Sequence, residues 1–414
     1  MIPERLRPIL DEVRPLAQRF DAAGHRVYLV GGIVRDAVLG RPLAGDIDLT
    51  TDARPDRTSQ LVTSWADAVW DQGARFGTVG VKKAGTVFEV TTHRAEAYSP
   101  DSRKPDVSFA DDVEADLARR DFTVNAMALR VTGAEGETPQ LIDPYGGVDD
   151  LAAGVLRTPL SPEVSFTDDP LRMMRAARFI AGYGLVPDDA LVVGVREMVD
   201  RLEIVSAERI RDELAKLLVV EDPTAGLWFL VDTGIADIIL PELPAMRVEQ
   251  DPIHRHKDVL AHTIAVVAKT RPSLIVRMSA LLHDVGKPKT RSIGSHGVSF
   301  HHHEVVGARM ARDRLRALRF TNEQVDDISQ LVYLHLRFHG YGDDVWTDSA
   351  VRRYVRDAGH LLDELNELTR CDCTTRNERR ARMLARRMDA LEARIAELRE
   401  QEELAAIRPD LDGD

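Results

Sequence analysis

The stretch "LVGGIVRD" at residues 29–36, with "GDIDLTT" close behind it at 45–51, decides the reading of the chain. "RVYLV" has the character of a buried strand. It turns through Gly31 and Gly32 into a short helix, "IVRDAVLG", that Gly40 stops. Backbone N–H groups at such a turn, together with the helix dipole, can hold a triphosphate. Arg35, one helical turn on, can reach the same phosphates. In the second segment Asp46 and Asp48 are one residue apart on a predicted strand, so alternation sets both carboxylates on one face. Two hard oxygen ligands side by side suit Mg²⁺, which keeps places for phosphate oxygens and water. A two-metal site with ions ~4 Å apart can activate an attacking hydroxyl and stabilise a leaving pyrophosphate. Each piece alone has an ordinary explanation, a plain turn or two solvated acids. Their order and closeness favour the joint reading.

Outward from this core, "TVGVKKAG" (78–85) and "TVFEVTTHR" (86–94) predict strands rich in β-branched residues. Glu89 on the second is a candidate third carboxylate beside the pair, or else an outward-facing glutamate. "AYSPDSRKPDVSFADD" (97–112) reads as a polar, proline-bearing loop. In "DLARRDFTVNAMAL" (116–129), Arg119 and Arg120 are adjacent cations, Asp121 can accept from ribose hydroxyls or cap a helix, and Asn125 offers a donor and an acceptor. From about Asp168 onward the pattern is almost entirely helical. "DDPLRMMRAARFIAGYG" carries acidic capping candidates, Pro170 near its first turn, and Gly182 and Gly184 near its end. Arg172, Arg175 and Arg178 are spaced to line one helical face headed by Asp169. An acid and an arginine held together offer acceptors and donors to a base edge, and the other arginines suit phosphates. A surface arginine stripe is the plainer alternative.

The 414 residues suggest two to four units. Hydrophobic content of 44% allows real cores, and no apolar run approaches the roughly 20 residues of a membrane span. The N-terminal "MIPERLRPILDEVRPLAQRF" is charged and helix-periodic, unlike a signal peptide. The only cysteines, Cys371 and Cys373, read as reduced thiols of a cytoplasmic protein. A net charge of −13 argues against broad, sequence-independent duplex binding, and DNA is not expected as a partner. One local basic surface is compatible with it.

The three blocks resemble the class II tRNA nucleotidyltransferases and bacterial poly(A) polymerases, within the DNA polymerase beta superfamily. The glycine-turn and D-x-D block matches Gly31, Gly32, Arg35, Asp36, Asp46 and Asp48. The R-R-D-F-T-x-N-A block matches Arg119, Arg120, Asp121, Phe122, Thr123, Asn125 and Ala126. The D-P-x-G-G block matches Asp143, Pro144, Gly146 and Gly147. The E-D-x-x-R block matches Asp168, Asp169 and Arg172, with aspartate where the family usually has glutamate, then Arg175 and Arg178. "SAERIRDELAKLL" (206–218) resembles the neck helix that follows. The resemblance covers roughly residues 25–220. It implies that Asp46 and Asp48 bind Mg²⁺, that Arg120 and Asp121 contact the nucleotide sugar and phosphates, and that Asp169 and Arg172 read the Watson–Crick edge of CTP or ATP. Poly(A) polymerases typically carry a basic G-[RK]-[RK]-F signature after the D-x-D block. Here that stretch reads "ARFGTVGV" (74–81), like the tRNA-specific members. The loop Ala95–Asp112 is also present, where members that add only CC tend to lack a flexible element. Both points favour full CCA addition.

A second constellation follows "PELPAMRVEQDPIHRH" (241–256), where histidines cluster between His254 and His339. "VLAHTIAVV" (259–267) and "SALLHDVGKP" (279–288) resemble the HD superfamily of metal-dependent phosphohydrolases. His262, His283, Asp284 and the distant Asp372 fit its H…HD…D pattern. His303 and His335 match extra histidines of some HD enzymes, and Lys287 could meet a phosphate. Imidazole and carboxylate suit Mn, Ni, Fe or Mg. The tail "RMLARRMDALEARIAELREQEEL" (382–404) sets Leu384, Met388, Leu391, Ile395 and Leu398 at alternating four- and three-residue steps. A helix packing on its own protein is the favoured reading of that seam. The chain stops at "AAIRPDLDGD", where relatives usually continue with a further short helical unit.

These readings predict an α+β protein: a DNA polymerase beta-like head, a mixed sheet with helices, followed by all-α neck, HD and tail regions. The expected limits are 1–155 for the head, 156–245 for a neck binding base and RNA, 246–375 for the HD region and 376–414 for the tail. The expected activity is template-independent addition of CCA to the 3′ end of tRNA from CTP and ATP, with Mg²⁺ at the head. An A-adding enzyme or poly(A) polymerase is the alternative within the family, and an HD phosphohydrolase is the alternative outside it.

Overall fold

A computed structural model describes residues 6–43, 45–97, 106–134, 136–248, 258–294, 297–338, 346–373 and 378–407. The chain divides into two compact units, Met1–Ile204 and Val205–Asp414.

The first unit is built on a seven-stranded sheet, with strands β1 Val27–Val30, β2 Ile47–Thr51, β3 Ala68–Trp70, β4 Thr78–Lys83, β5 Thr86–Thr92, β8 Ala128–Val131 and β9 Gln140–Ile142. Their order is β3-β4-β5-β2-β1-β8-β9. All four residues of β1 are buried, as expected of an interior strand with both faces covered. Most neighbours are antiparallel. The exception is β2 with β5, a parallel pair in which Ile47 faces Phe88 and Asp48 faces Glu89. The helix Gly32–Leu39 leaves the glycine turn and ends on Gly40, which is left-handed at φ 78°. Before β1, the helix Arg7–Ala22 buries Leu10, Val13, Leu16, Ala17 and Phe20, an i, i+3, i+4 stripe.

The segment expected as a loop after β5 contains strand instead: β6 Arg94–Ala97 pairs antiparallel with β7 Asp106–Phe109. The proline and serine content that suggests a loop falls on residues 98–105, outside the described residues. Helices Pro162–Asp168, Arg172–Tyr183 and Asp189–Met198 complete the unit. A two-residue parallel pair, β10 Val155–Leu156 and β11 Val186–Pro187, interrupts the helical pattern.

Among its described residues the second unit is helical apart from the antiparallel pair β12 Arg291–Gly294 and β13 Gly297–Phe300. Its first helix, Ala207–Leu218, is capped by Ser206, whose hydroxyl accepts from Arg209 N–H. Arg277, 1% exposed, lies in helix Leu274–Leu282 and donates to the carbonyls of Leu218, Val220, Glu221 and Thr270. One guanidinium thereby satisfies carbonyls at the C-terminal ends of two helices, Ala207–Leu218 and Val259–Lys269. The long helix Glu378–Ile407 buries Leu384, Met388, Leu391, Ile395 and Leu398, so the seam of the tail is spent on this chain. Among the described residues no helix is long and apolar enough to cross a membrane.

Candidate nucleotide and metal sites

In the head, register does what alternation alone could not. Asp48 on β2 lies directly beside Glu89 on β5, and both are exposed. Asp46, just before β2, is exposed as well. The surrounding protein displaces enough water to hold the Asp48 carboxyl above its usual range. Arg120 opposes that shift, and the charges of Glu89 and Asp46 add to it. Gly31 closes the other side of the site. Its φ is 72°, and a Cβ there would lie 3.1 Å from Arg120 Nη1 and 3.6 Å from Asp48 Oδ2. The glycine thus serves twice, in a left-handed turn and in a close approach of backbone to charged groups. The structure brings Gly31, Asp48, Glu89 and Arg120 to one place.

Arg35 is placed differently. It is buried, donating to Asn125 Oδ1 at 2.6 Å, to its neighbour Asp36 at 3.0 Å and to the Tyr183 hydroxyl. Its guanidinium lies 4.2 Å from the Tyr183 ring centroid. Arg35 therefore fixes Asn125 from the inside. Asp121 is the next link. Its Oδ1 accepts from Phe122 N–H and Asn125 Nδ2, both at 2.9 Å, and its Oδ2 accepts from Arg175 Nε at 2.8 Å. Burial opposes the charge of Asp121, but Arg175 and Asn125 overcome it and hold the carboxyl at about 2. Arg175 thus faces the R-R-D block as a partner of Asp121.

Arg172 is also buried. It donates to the Ser165 carbonyl and hydroxyl at 3.2 and 3.0 Å and to the Arg119 carbonyl. That leaves its Nε–H and one Nη2–H for a ligand. Asp169 ends the helix Pro162–Asp168 as its C-cap, and its Oδ1 accepts from Leu171 N–H at 3.1 Å. The guanidinium of Arg178 stands 5.0 Å from the Phe179 ring centroid. Earlier in the chain, Asp143 accepts from Gly147 and Val148 N–H, at the start of helix Gly147–Ala153, at 2.7 and 2.9 Å. Two residues absent from the sequence reading belong to this neighbourhood. One is Tyr183, which holds Arg35. The other is Asp116, 1% exposed, which receives both Arg119 and Arg120. Asp116 stands three and four residues before those arginines, a helical spacing that could have flagged it.

In the second unit, His262, His283, Asp284 and Asp372 meet, joined by His303, His335 and Lys287. His262 Nε2 lies 2.9 Å from Asp372 Oδ1 and 3.7 Å from Asp284 Oδ2. Three rings are set by one device: His283 Nδ1 meets the carbonyl of Ala280 at 2.7 Å, His303 Nδ1 that of Phe300 at 2.8 Å, and His335 Nδ1 that of Val332 at 2.6 Å. A carbonyl can only accept, so each ring carries its proton on Nδ1 and turns Nε2 inward. Asp284 is shared. His262 and His283 group with it, and so do His303 and His335, with ligand atoms in each group within 4.8 Å of one another. Asp284 Oδ2 is 3.1 Å from His283 Nε2 and 2.7 Å from Lys287 Nζ, while Oδ1 is 3.3 Å from His303 Nε2. Gly286 permits the closeness, since a Cβ there would lie 2.2 Å from the His303 carbonyl oxygen.

The electrostatics suit a cation. His283 Nε2 is buried with no hydrogen bond of acceptable geometry. Burial disfavours charge on that ring, yet Asp284 and Asp372 carry its pKa to about 10. Burial and the charge of His283 push His335 down to about 3, leaving it a neutral donor. An orphaned Nε2 between two carboxylates, with the neutral His335 imidazole behind, fits a divalent metal. In the head, the all-oxygen set Asp46, Asp48 and Glu89 fits Mg²⁺. His254 and His339 lie outside the described residues.

A mixed sheet with clustered carboxylates against a glycine turn, followed in the same chain by a helical unit with converging histidines, defines a nucleotidyltransferase-type head joined to an HD-type domain. Comparison with known proteins agrees along the length. Residues 27–157 match the poly A polymerase head domain, 187–246 the probable RNA- and SrmB-binding site of polymerase A, and 259–398 the HD domain. The chain thus carries, in this order, a poly A polymerase head domain, a polymerase A RNA-binding region and an HD domain. It is 39% identical over 233 residues to the CCA-adding enzyme of Limosilactobacillus reuteri strain DSM 20016, covering 56% of this chain and 55% of that one. It is 36% identical over 236 residues to that of Lactiplantibacillus plantarum, covering 57% and 55%. The chain thus spans about half the length of these curated relatives. Among solved structures, the Bacillus stearothermophilus CCA-adding enzyme in complex with CTP aligns at TM-score 0.65 and 25% identity, covering 93% of this chain and 83% of that one. A CCA-adding enzyme complex with ATP aligns at TM-score 0.66 and 18% identity, covering 98% and 84%, a likeness of fold.

Proposed function

We propose that the chain adds CCA to the 3′ end of tRNA without a template, from CTP and ATP, with release of pyrophosphate. The observation that carries this reading is the in-register pair Asp48–Glu89, with Arg120 and the glycine turn against it. The relatives named above support it. The RNA 3′-hydroxyl attacks the α-phosphate in line, and pyrophosphate leaves. Asp46, Asp48 and Glu89 hold Mg²⁺, which supplies activation of the hydroxyl and neutralises charge on the leaving group. Gly31, Gly32 and Arg120 receive the triphosphate. Asp121 and Asn125, braced by Arg35 and Arg175, set the sugar. Asp169 and Arg172 present donors and acceptors to the base edge, with Arg178 on the same helix. The working regions are the head at 1–155, the neck at 156–245, the HD region at 246–375 and the tail at 376–414. The protein works in the cytoplasm.

The deciding experiment gives purified protein a tRNA lacking CCA and single labelled nucleotides. The expected product gains two C and one A, and addition then stops. Long A tails on unrelated RNA would make the chain a poly(A) polymerase, and A addition only after CC an A-adding enzyme.

A second activity is favoured by the convergence of Nε2 atoms on Asp284. His262, His283, Asp284 and Asp372, with His303 and His335, hold Mn, Ni, Fe or Mg, and Lys287 meets a phosphate. The reaction class is phosphohydrolysis, by a phosphatase or 2′,3′-cyclic phosphodiesterase. Calorimetric titration with Mn²⁺ and Ni²⁺, beside hydrolysis assays, tests it.

A further inference from the structure

Asp116 belongs to none of the motifs that carry the proposed chemistry, and its burial is unusual for a carboxylate. It is 1% exposed in the short helix Val113–Ala118. Its Oδ1 accepts from Arg119 Nε and Nη2 at 3.2 and 3.0 Å and from Arg94 N–H at 3.3 Å. Its Oδ2 accepts from Arg120 Nη2 at 3.2 Å. One carboxylate therefore grips two consecutive arginines by separate oxygens. The far end of Arg120 goes elsewhere: Nη1 lies 3.1 Å from where a Gly31 Cβ would stand, a point only 3.6 Å from Asp48 Oδ2. Arg120 Nε is buried without a hydrogen-bond partner. The guanidinium is thus tethered through one terminal nitrogen and aims the other at the glycine turn.

We infer that Asp116 is the positioning residue for triphosphate binding: by holding Arg119 and Arg120 it pre-aims Arg120 Nη1 at phosphate oxygens received by the Gly31 turn. An arginine has costly rotamer freedom to lose on binding an anion. A side chain already fixed has lost it in folding, so the ligand binds a preorganised donor. Two neighbouring like charges also repel, and a shared buried carboxylate holds them side by side. Asp116 does not touch substrate; it acts through Arg120. The inference rests on the nucleotidyltransfer reading and assigns one of its specificity devices, selection for the triphosphate.

The test is a double-mutant cycle on the full chain, with Asp116→Asn, Arg120→Ala and the combination. Calorimetry measures binding of CTP and of CMP, and single-nucleotide incorporation gives KM and kcat. Asp116→Asn is expected to weaken CTP binding and raise KM for CTP by about tenfold or more, with a smaller change in kcat, and to leave CMP binding within about twofold. Added to Arg120→Ala it is expected to cost nothing further, because the arm it aims is gone. Circular dichroism and thermal unfolding accompany each variant. Should Asp116→Asn fail to fold, Asp116→Glu, which keeps the charge and displaces the carboxylate, takes its place in the cycle with the same expected non-additivity. Additive losses, or equal losses for CMP and CTP, overturn the inference and leave the nucleotidyltransfer reading standing. A wild-type protein that binds no CTP overturns both.

Discussion

Asp48 and Glu89 stand side by side because a parallel strand pair puts them there, and Asp46 adds a third negative charge. On the proposed reading each aspartate holds metal in the transition state, so Asp46→Ala and Asp48→Ala should each lower nucleotide incorporation by orders of magnitude while tRNA binding changes little. A variant keeping more than about a tenth of wild-type turnover, a loss under ~1.4 kcal/mol, would remove that residue from the metal site. Asp121 makes a prediction about pH. Its folded carboxyl is depressed to about 2, so its stabilisation is fully present above the unfolded value near 4 and is lost as pH falls toward 2. Urea unfolding should show wild-type stability dropping across that window by on the order of 2 kcal/mol more than in Asp121→Asn. Asp121→Asn itself should be weaker at pH 7, since Arg175 loses its partner. The closeness of Asp46 and Asp48 was legible in sequence because one residue separates them, but Asp46 falls just before β2, so strand alternation does not fix its face. The role of Arg35 was not legible, because its partners Asn125 and Tyr183 lie 90 and 148 residues away. A phosphate ligand and a buried brace look alike in a motif. Only the burial of the side chain separates them.

At the scale of elements, periodicity served well wherever one face is buried. The helix Glu378–Ile407 was legible as a seam, and the seam lies inside the chain: Met388 is 1% exposed and Leu391 2%. Met388→Asp should therefore destabilise the second unit, by roughly 3 kcal/mol or more for a buried charge in place of an apolar side chain. Sedimentation should show no change in oligomeric state. A seam serving a partner chain would instead dissociate a complex and spare the melting temperature. The antiparallel pair β6–β7 was missed because its strands are four residues each and flank a proline-rich stretch that dominates the composition. Short ladders draw on main-chain hydrogen bonds, which leave little trace in side-chain pattern. Gly40 and Gly184, both left-handed helix ends, were legible because so few residues suit that conformation.

For the molecule as a whole, the two sites draw on different chemistry in different compact units. The head offers oxygen ligands, and the HD group offers imidazoles around a shared carboxylate. Mn²⁺ or Ni²⁺ should raise the unfolding temperature of the second unit, because a metal bound only by the native state stabilises it by mass action. His283→Ala with Asp284→Ala should abolish that rise and any metal-stimulated hydrolysis, and should spare Mg²⁺-dependent nucleotide addition. Loss of addition in the folded double variant would show the sites to be coupled. The order of motifs made the two sites legible, but the neck expected at 156–245 is divided between the two units, and the sharing of Asp284 needed coordinates. The parallel pairing of β2 with β5 has a kinetic consequence. β4 and β5 close as a tight hairpin through Ala84 and Gly85, both at positive φ, and can form early. Glu89 reaches Asp48 only when strands 41 residues apart in register meet, a late, non-local step. The carboxylate cluster is therefore expected to complete after the folding transition state, so that Mg²⁺, if it binds there, acts on the native side of the barrier. Stopped-flow traces should show the ion slowing unfolding while the refolding rate stays unchanged.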